Sequence, residues 1–213
     1  VIAETIQGDA GVRIPSYHYM QALRQRCTEV GALLILDEIQ CGLGRTGKWF
    51  AFQHFNIVPD ILTLAKSFGG GLPIGTFVSS EERMQLLARD PMLGHITTFG
   101  GNPVCAAAAW ATLCALEEEK RIDHVEEKGQ LIESLLRHPD IREIRRKGLL
   151  FAIDFDSGDR VNRIVQRGKE LGVITYWFLS HPHSFRIAPP LTITTAEIQE
   201  ACGLILQAIR ETA

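Results

Sequence analysis

This sequence has no run near the ~18 consecutive apolar residues that a membrane-spanning helix requires. Its five cysteines (Cys27, Cys41, Cys105, Cys114, Cys202) form no CxxC pair and are odd in number. They therefore read as reduced thiols rather than a disulfide framework. His181 and His183 flank Pro182 without a neighbouring cysteine, so loop histidines are expected there and no metal centre. There is no basic stripe, internal repeat or low-complexity tract, and the net charge is only −3. The mixed cluster Glu117–Arg121 reads as a solvated helix end. Neither nucleic acid nor a membrane is expected as a partner. An initiator Met is also missing, and Val1-Ile2-Ala3 reads as a buried strand without the basic stretch of a signal peptide. The expectation is the C-terminal portion of a longer, cytoplasmic polypeptide.

What is present is a core and a pair. With 46% hydrophobic residues in 213, the chain can bury one or two domains. Asp37 ends the apolar run Ala32–Leu36, and Lys66, 29 positions on, ends Ile61–Ala65. Ser67-Phe68-Gly69-Gly70-Gly71-Leu72-Pro73 follows the lysine at once. An acid and a lysine at the ends of two strands suit pyridoxal phosphate chemistry. The lysine forms a Schiff base with the aldehyde, and the acid keeps the pyridine nitrogen protonated. A lysine between an apolar strand and three glycines is expected to be buried, with its pKa lowered.

The pattern along the chain alternates helix and strand. Ser16 caps a helix carrying Met20, Leu23, Cys27 and Val30, closed by Gly31. Leu33–Leu36 reads as a strand buried on both faces of a parallel sheet, and Asp60–Ala65 and Ile74–Ser79 as further strands. Gly42–Gly47 is a turn-rich loop and Glu81–Ala88 a short helix. Asn102-Pro103 starts a long helix whose alanines favour close packing. Beyond residue 120 come helices near Ile122–Arg137, Asp159–Leu171 and Thr195–Arg210. Strands are expected near Ile141–Arg146, Leu149–Phe155, Val173–Tyr176 and Ser184–Ile187. Trp177 and Phe178 fit either the core or the border of a cleft.

Seven segments then occur in one order: Glu4-Thr5-Ile6-Gln7-Gly8, Asp37-Glu38-Ile39-Gln40, Gly42-Leu43-Gly44-Arg45-Thr46-Gly47, Ala65-Lys66-Ser67, Gly69-Gly70-Gly71-Leu72-Pro73, Thr98-Phe99-Gly100-Gly101-Asn102-Pro103 and Arg186-Ile187-Ala188-Pro189-Pro190-Leu191. Together they resemble the class III pyridoxal phosphate aminotransferases, acetylornithine and ornithine aminotransferases among them. The resemblance spans nearly the whole chain and corresponds to roughly the second half of such an enzyme.

It implies an α/β fold of the PLP-dependent transferase type, aspartate aminotransferase-like, fold type I. Residues 1–118 would be the remainder of the large cofactor-binding domain and 119–213 a smaller α+β domain. It implies Lys66 as the Schiff-base lysine, Asp37 as the pyridinium partner and Gln40 at the cofactor's phenolic oxygen. Thr98 would reach the phosphate held by the neighbouring subunit of a homodimer, and Arg186 would grip a substrate α-carboxylate. Glu4 would order the cofactor-facing loop. Asp9 stands where ornithine-type enzymes commonly carry Glu; one methylene shorter, it leaves a direct pair with Arg186 open. Thr5 replaces the usual proline, a change expected to alter the turn and not the chemistry. The implied reaction moves an amino group from an ω-amino donor of the acetylornithine or ornithine kind to 2-oxoglutarate, with 4-aminobutyrate, lysine or other amines as alternative donors. The glycine-rich phosphate cup and the ring-stacking aromatic belong to the other half, so the fragment alone is expected to be inactive.

One rival comes from another class. Leu33–Glu38, four apolar residues followed by two acids, imitates the Walker B strand of a nucleoside triphosphatase. No GxxxxGK[ST] loop accompanies it, and Gly69–Gly71 follow the lysine rather than precede it.

Overall fold

The computed structural model describes residues 1–92 and 94–213, which gather into two compact units. The first unit holds Val1–Thr5, Pro15–Leu43 and Phe50–Lys120; the second holds Ile6–Ile14, Gly44–Trp49 and Arg121–Ala213.

The first unit is built on a four-stranded sheet of β1 (Ile2–Glu4), β2 (Ile35–Asp37), β3 (Ile61–Leu64) and β4 (Thr76–Ser79), in that order. The first three strands are parallel and β4 is antiparallel to β3. Helix α1 (Tyr17–Glu29) connects β1 to β2. Ser16 caps it by accepting from Tyr19 N at 3.1 Å, and Gly31 turns the chain out at φ +67°. Its Met20 and Cys27 pack with Leu34, Leu36, Phe55 and Ile57 to make this unit's core.

Three expectations about burial are corrected here. Strand β1 is not buried: Val1 is 57% and Ile2 69% exposed, because β1 is the edge of the described sheet. The run Leu33–Leu36 is covered on one side only. Leu34 and Leu36 face the α1 core, Ile35 is half-buried and Leu33 exposed. Helix α3 (Pro103–Glu118) is as long as expected, with Asn102 Oδ1 accepting from Val104 N and Cys105 N at 3.0 and 3.2 Å. It is not closely packed, since Ala109 is its one buried residue and Trp110 lies open to solvent. The intervening helix α2 spans Glu81–Leu86.

The second unit is an antiparallel sheet in the order β5 (Glu143–Lys147), β6 (Leu150–Asp154), β8 (Ser184–Ile187), β7 (Tyr176–Trp177). Helices α4 (Val125–Leu135), α5 (Gly158–Leu171) and α6 (Thr195–Glu211) belong to it. One core, including Phe151, Ile153, Phe185, Ile164, Ile198 and Ile205, joins sheet and helices. Strand β7 starts later than the sequence implies. Val173 N is spent on Gly168 O in the turn that ends α5, where Gly172 sits at φ +98°. Phe178 is buried and Trp177 is 43% exposed. All five cysteines are free thiols. Among the described residues no helix is long and apolar enough to cross a membrane.

Candidate active site

Parallel strands leave their carboxyl ends along one edge, the edge at which open α/β sheets hold ligands. Glu4 ends β1 and pairs in register with Asp37 at the end of β2. Asp37 in turn is level with Thr63 of β3, and Lys66 follows three residues further on. Glu4, Asp37 and Lys66 thus follow one another across three adjacent strand ends.

Asp37 is half-buried, and its Oδ1 accepts from Ile39 N at 2.9 Å. Its second oxygen has no protein partner among the described residues. Lys66 begins a short 3-10 turn, Lys66–Gly69, at φ +50°. The left-handed region costs a non-glycine residue roughly 1–2 kcal/mol, and such conformations gather at functional sites. The turn ends on Gly70, also left-handed, where a Cβ would meet Thr112 Oγ1 of α3 at 2.3 Å. Lys66 is exposed in this chain, not buried as expected: β3 stops at Leu64, and the lysine lies beyond it in the 3-10 turn. Among the described residues Lys66 has neither ion pair nor hydrogen bond.

Glu4 is exposed and Gln40 half-buried, three residues past Asp37. Thr98 lies exposed in the turn that leads into Asn102 and α3. The neighbouring acid, Glu38, is 1% exposed and carries a carboxylate bonded wholly within the protein. Burial pushes its carboxyl above the ordinary range, and hydrogen bonds from Ala51, Thr5, Phe52 and Cys41 offset this only in part. A carboxylate so enclosed cannot serve as the second acid of a Walker B strand, which weakens the nucleoside triphosphatase reading.

In the second unit Arg186 sits on β8, level with Ala152 of β6 and Tyr176 of β7. Its guanidinium lies 5.8 Å from the centre of the Phe178 ring and makes no hydrogen bond among the described residues. Asp9 does not pair with it directly. The Asp9 carboxylate instead accepts from Leu179 N, Ser180 N and Ser180 Oγ at 3.1, 3.0 and 2.6 Å. The Ser180 hydroxyl, these two amides and, last, the charge of Arg186 lower its pKa against a smaller effect of burial.

Sequence reasoning passed over Arg45. Its Nη1 donates to the carbonyls of Leu149 and Pro189, the latter three residues beyond Arg186. Burial pulls its pKa down to about 10, with no acidic partner among the described residues. His181 is half-buried, not solvent-exposed, with Nε2 3.5 Å from Asp154 Oδ2. An open cleft of about 590 Å³ beside Arg13, Arg145 and Arg146 contains none of the motif residues. Its Arg145 and Arg146 are already paired with Asp154, Glu126 and Glu133.

Solved structures share this architecture. A transaminase from the marine bacterium Virgibacillus superposes with TM-score 0.92 at 28% identity, over 99% of this chain and 52% of its own. The ornithine aminotransferase of Toxoplasma gondii matches at 36% identity and TM-score 0.89, over 99% of this chain and 50% of its own; that structure is described with partial occupancy of PLP at its active site. The ornithine aminotransferase of Plasmodium yoelii is 34% identical, with TM-score 0.89, over 100% of this chain and 57% of its own. The chain therefore spans about half the length of these relatives. Its fold is that of the PLP-dependent transferases of fold type I. The family model for class-III aminotransferases matches residues 1–209, and the chain belongs to that family.

Class-III aminotransferases depend on pyridoxal 5'-phosphate, and the donor set fits that group. Lys66 offers an amine with no protein partner among the described residues, and Asp37 an unengaged carboxylate oxygen fixed by the bond its twin makes to Ile39.

Proposed function

We propose that the full-length protein is an aminotransferase that takes an amino group from an ω-amino donor, of the ornithine or acetylornithine kind, and passes it to 2-oxoglutarate. The observation that carries this reading is the row of strand ends, with Asp37 at the end of β2 and the left-handed Lys66 two residues past the end of β3 in a class-III aminotransferase fold. The two ornithine aminotransferases at 34 and 36% identity support the donor class.

When bound, pyridoxal phosphate supplies an aldehyde that captures amines and a protonated ring that accepts an electron pair. Lys66 would hold the cofactor through Nζ. When not bonded to it, the same Nζ would move the proton between the amine-bearing carbon of the substrate and C4′ of the cofactor within each half-reaction. Asp37 would keep the ring nitrogen protonated by a charge-assisted hydrogen bond. Gln40 would hold the ring at its phenolic oxygen, and Glu4 would order the loop facing it. Arg186 binds the α-carboxylate of the oxo acid with two parallel N–H donors. Thr98 completes the phosphate site of a second subunit, so the working unit is a homodimer.

Steady-state assays of the full-length protein on a panel of amines with 2-oxoglutarate test this reading. Turnover of ornithine or acetylornithine ahead of lysine and 4-aminobutyrate is the expected result. A preference for 4-aminobutyrate would move the donor class, and no amine turnover at all would overturn the reading. An active monomer in sedimentation would remove the role of Thr98.

A further inference from the structure

Glu38 is a carboxylate with nothing left to offer a ligand. Its Oε1 accepts from Thr5 Oγ1 at 2.7 Å and from Phe52 N at 2.8 Å. Its Oε2 accepts from Ala51 N at 2.8 Å and from Cys41 Sγ at 3.5 Å. A carboxylate has about four acceptor sites, so these four donors fill it. They come from three places: the residue after β1, the loop after β2, and the first turn of the 3-10 helix Ala51–Phe55. The backbone of Glu38 is tied as well, its N–H donating to Thr63 O at 3.1 Å and its carbonyl accepting from Gly42 N at 2.9 Å. A Cβ on Gly42 would stand 2.7 Å from that carbonyl oxygen, so only glycine allows the approach.

The consequence lies one residue back along each strand. Thr5 follows Glu4, and Glu38 follows Asp37. The Thr5–Glu38 bond therefore fastens the β1 and β2 ends together immediately behind the two acids that are in register. Inside the protein such a bond is fully desolvated, and without the Thr5 hydroxyl Oε1 would keep only Phe52 N as a donor, leaving one buried acceptor site unfilled at a desolvation cost.

We propose that Thr5 and Glu38 are positioning residues: their buried hydrogen bond fixes the backbone that carries Asp37, and with it the carboxylate oxygen that accepts from the protonated ring nitrogen. This rests on the role given to Asp37 above. Neither residue is catalytic, since Glu38 is saturated and Thr5 is fully buried.

The test uses the full-length protein with Thr5→Val, which keeps the shape and removes the donor, and Thr5→Ser, which keeps the hydroxyl. Three quantities are read: the dissociation constant for pyridoxal phosphate, the pH dependence of the bound cofactor's absorbance, and the melting temperature of the apo form. Thr5→Val is expected to weaken cofactor binding about tenfold and to displace the pH profile, and Thr5→Ser to restore both. Should Thr5→Val fail to fold, Thr5→Cys, of similar size and a weaker donor, is expected to weaken binding in the same direction. A variant that melts earlier but keeps the wild-type dissociation constant and pH profile would reduce the pair to a structural role and overturn the proposal. Asp37→Ala separates the two readings. If it leaves cofactor binding intact, the role of Asp37 and this proposal fail together; if it abolishes binding while Thr5→Val does not weaken it, only the positioning role fails.

Discussion

Glu4 and Asp37 lie directly across from each other, paired in register at the carboxyl ends of two parallel strands. Lys66 leaves the next strand over, β3, in a left-handed conformation that its neighbours must stabilise. The candidate cofactor edge of this chain is thus a property of strand register, and residues far apart in sequence are brought to one edge because three short strands end together.

Replacing Arg186 is expected to separate the two half-reactions. A guanidinium offers two parallel donors to a carboxylate and an ammonium does not. Arg186→Lys is expected to lower kcat/KM for the oxo-acid half-reaction roughly ten- to a hundredfold. The half-reaction with an ω-amine should change much less, because its carboxylate lies far from the reacting amine. Single-turnover spectra of each half-reaction check this, and equal small effects on both would remove Arg186 from the site.

Asp9 is expected to act on its loop rather than on Arg186. Its carboxylate holds Leu179 N, Ser180 N and the Ser180 hydroxyl. Asp9→Ala should speed amide hydrogen exchange at Leu179 and Ser180 while leaving oxo-acid affinity nearly unchanged. Tighter carboxylate binding in that variant would mean that Asp9 competes for the arginine after all.

Acid sensitivity of the second unit should depend on Asp154. Burial alone would raise its carboxyl, but hydrogen bonds from Arg145 and Ser184 and the charge of Arg145 outweigh it and hold the pKa below the ordinary value of 3.8. A carboxyl depressed in the folded state stabilises it fully above the unfolded pKa, and the contribution is lost as pH falls through the lower folded value. The window is therefore below about pH 4. Asp154→Asn should cost about 2–3 kcal/mol near neutrality, and the variant should lose less additional stability than the wild type between pH 4 and 2. Denaturant titrations across that range measure both effects. Parallel wild-type and variant curves would show that Asp154 is not depressed.

Much of this was legible because its causes are local. Ser16 before α1 and Asn102-Pro103 before α3 announce helix starts within a few residues. The apolar runs ending in Asp37 and Lys66 locate strand ends without any partner strand in view. Burial was less legible, since it depends on what covers a face: Leu33, Ile2 and Trp110 are apolar and still exposed. Glu38 was hidden for a related reason. Its donors lie 13, 14 and 33 residues away as well as nearby, and no spacing rule joins Thr5 to Ala51 and Phe52. Nor does any pattern join the short segments 6–14 and 44–49 to the unit formed by residues 121–213. Thr5, where a proline was expected, changes more than a turn, because its hydroxyl is a hydrogen-bond donor to the acid beside Asp37.

The central claim is that Lys66 carries the cofactor, and covalent trapping tests it most directly. The full-length protein would be loaded with pyridoxal phosphate, reduced with borohydride, digested, and its peptides sequenced by mass spectrometry. The account predicts one pyridoxyl-phosphate adduct, on Lys66 in the segment Ala65-Lys66-Ser67, and none in Lys66→Ala. An adduct on another lysine, or undiminished trapping and turnover in Lys66→Ala, would contradict it.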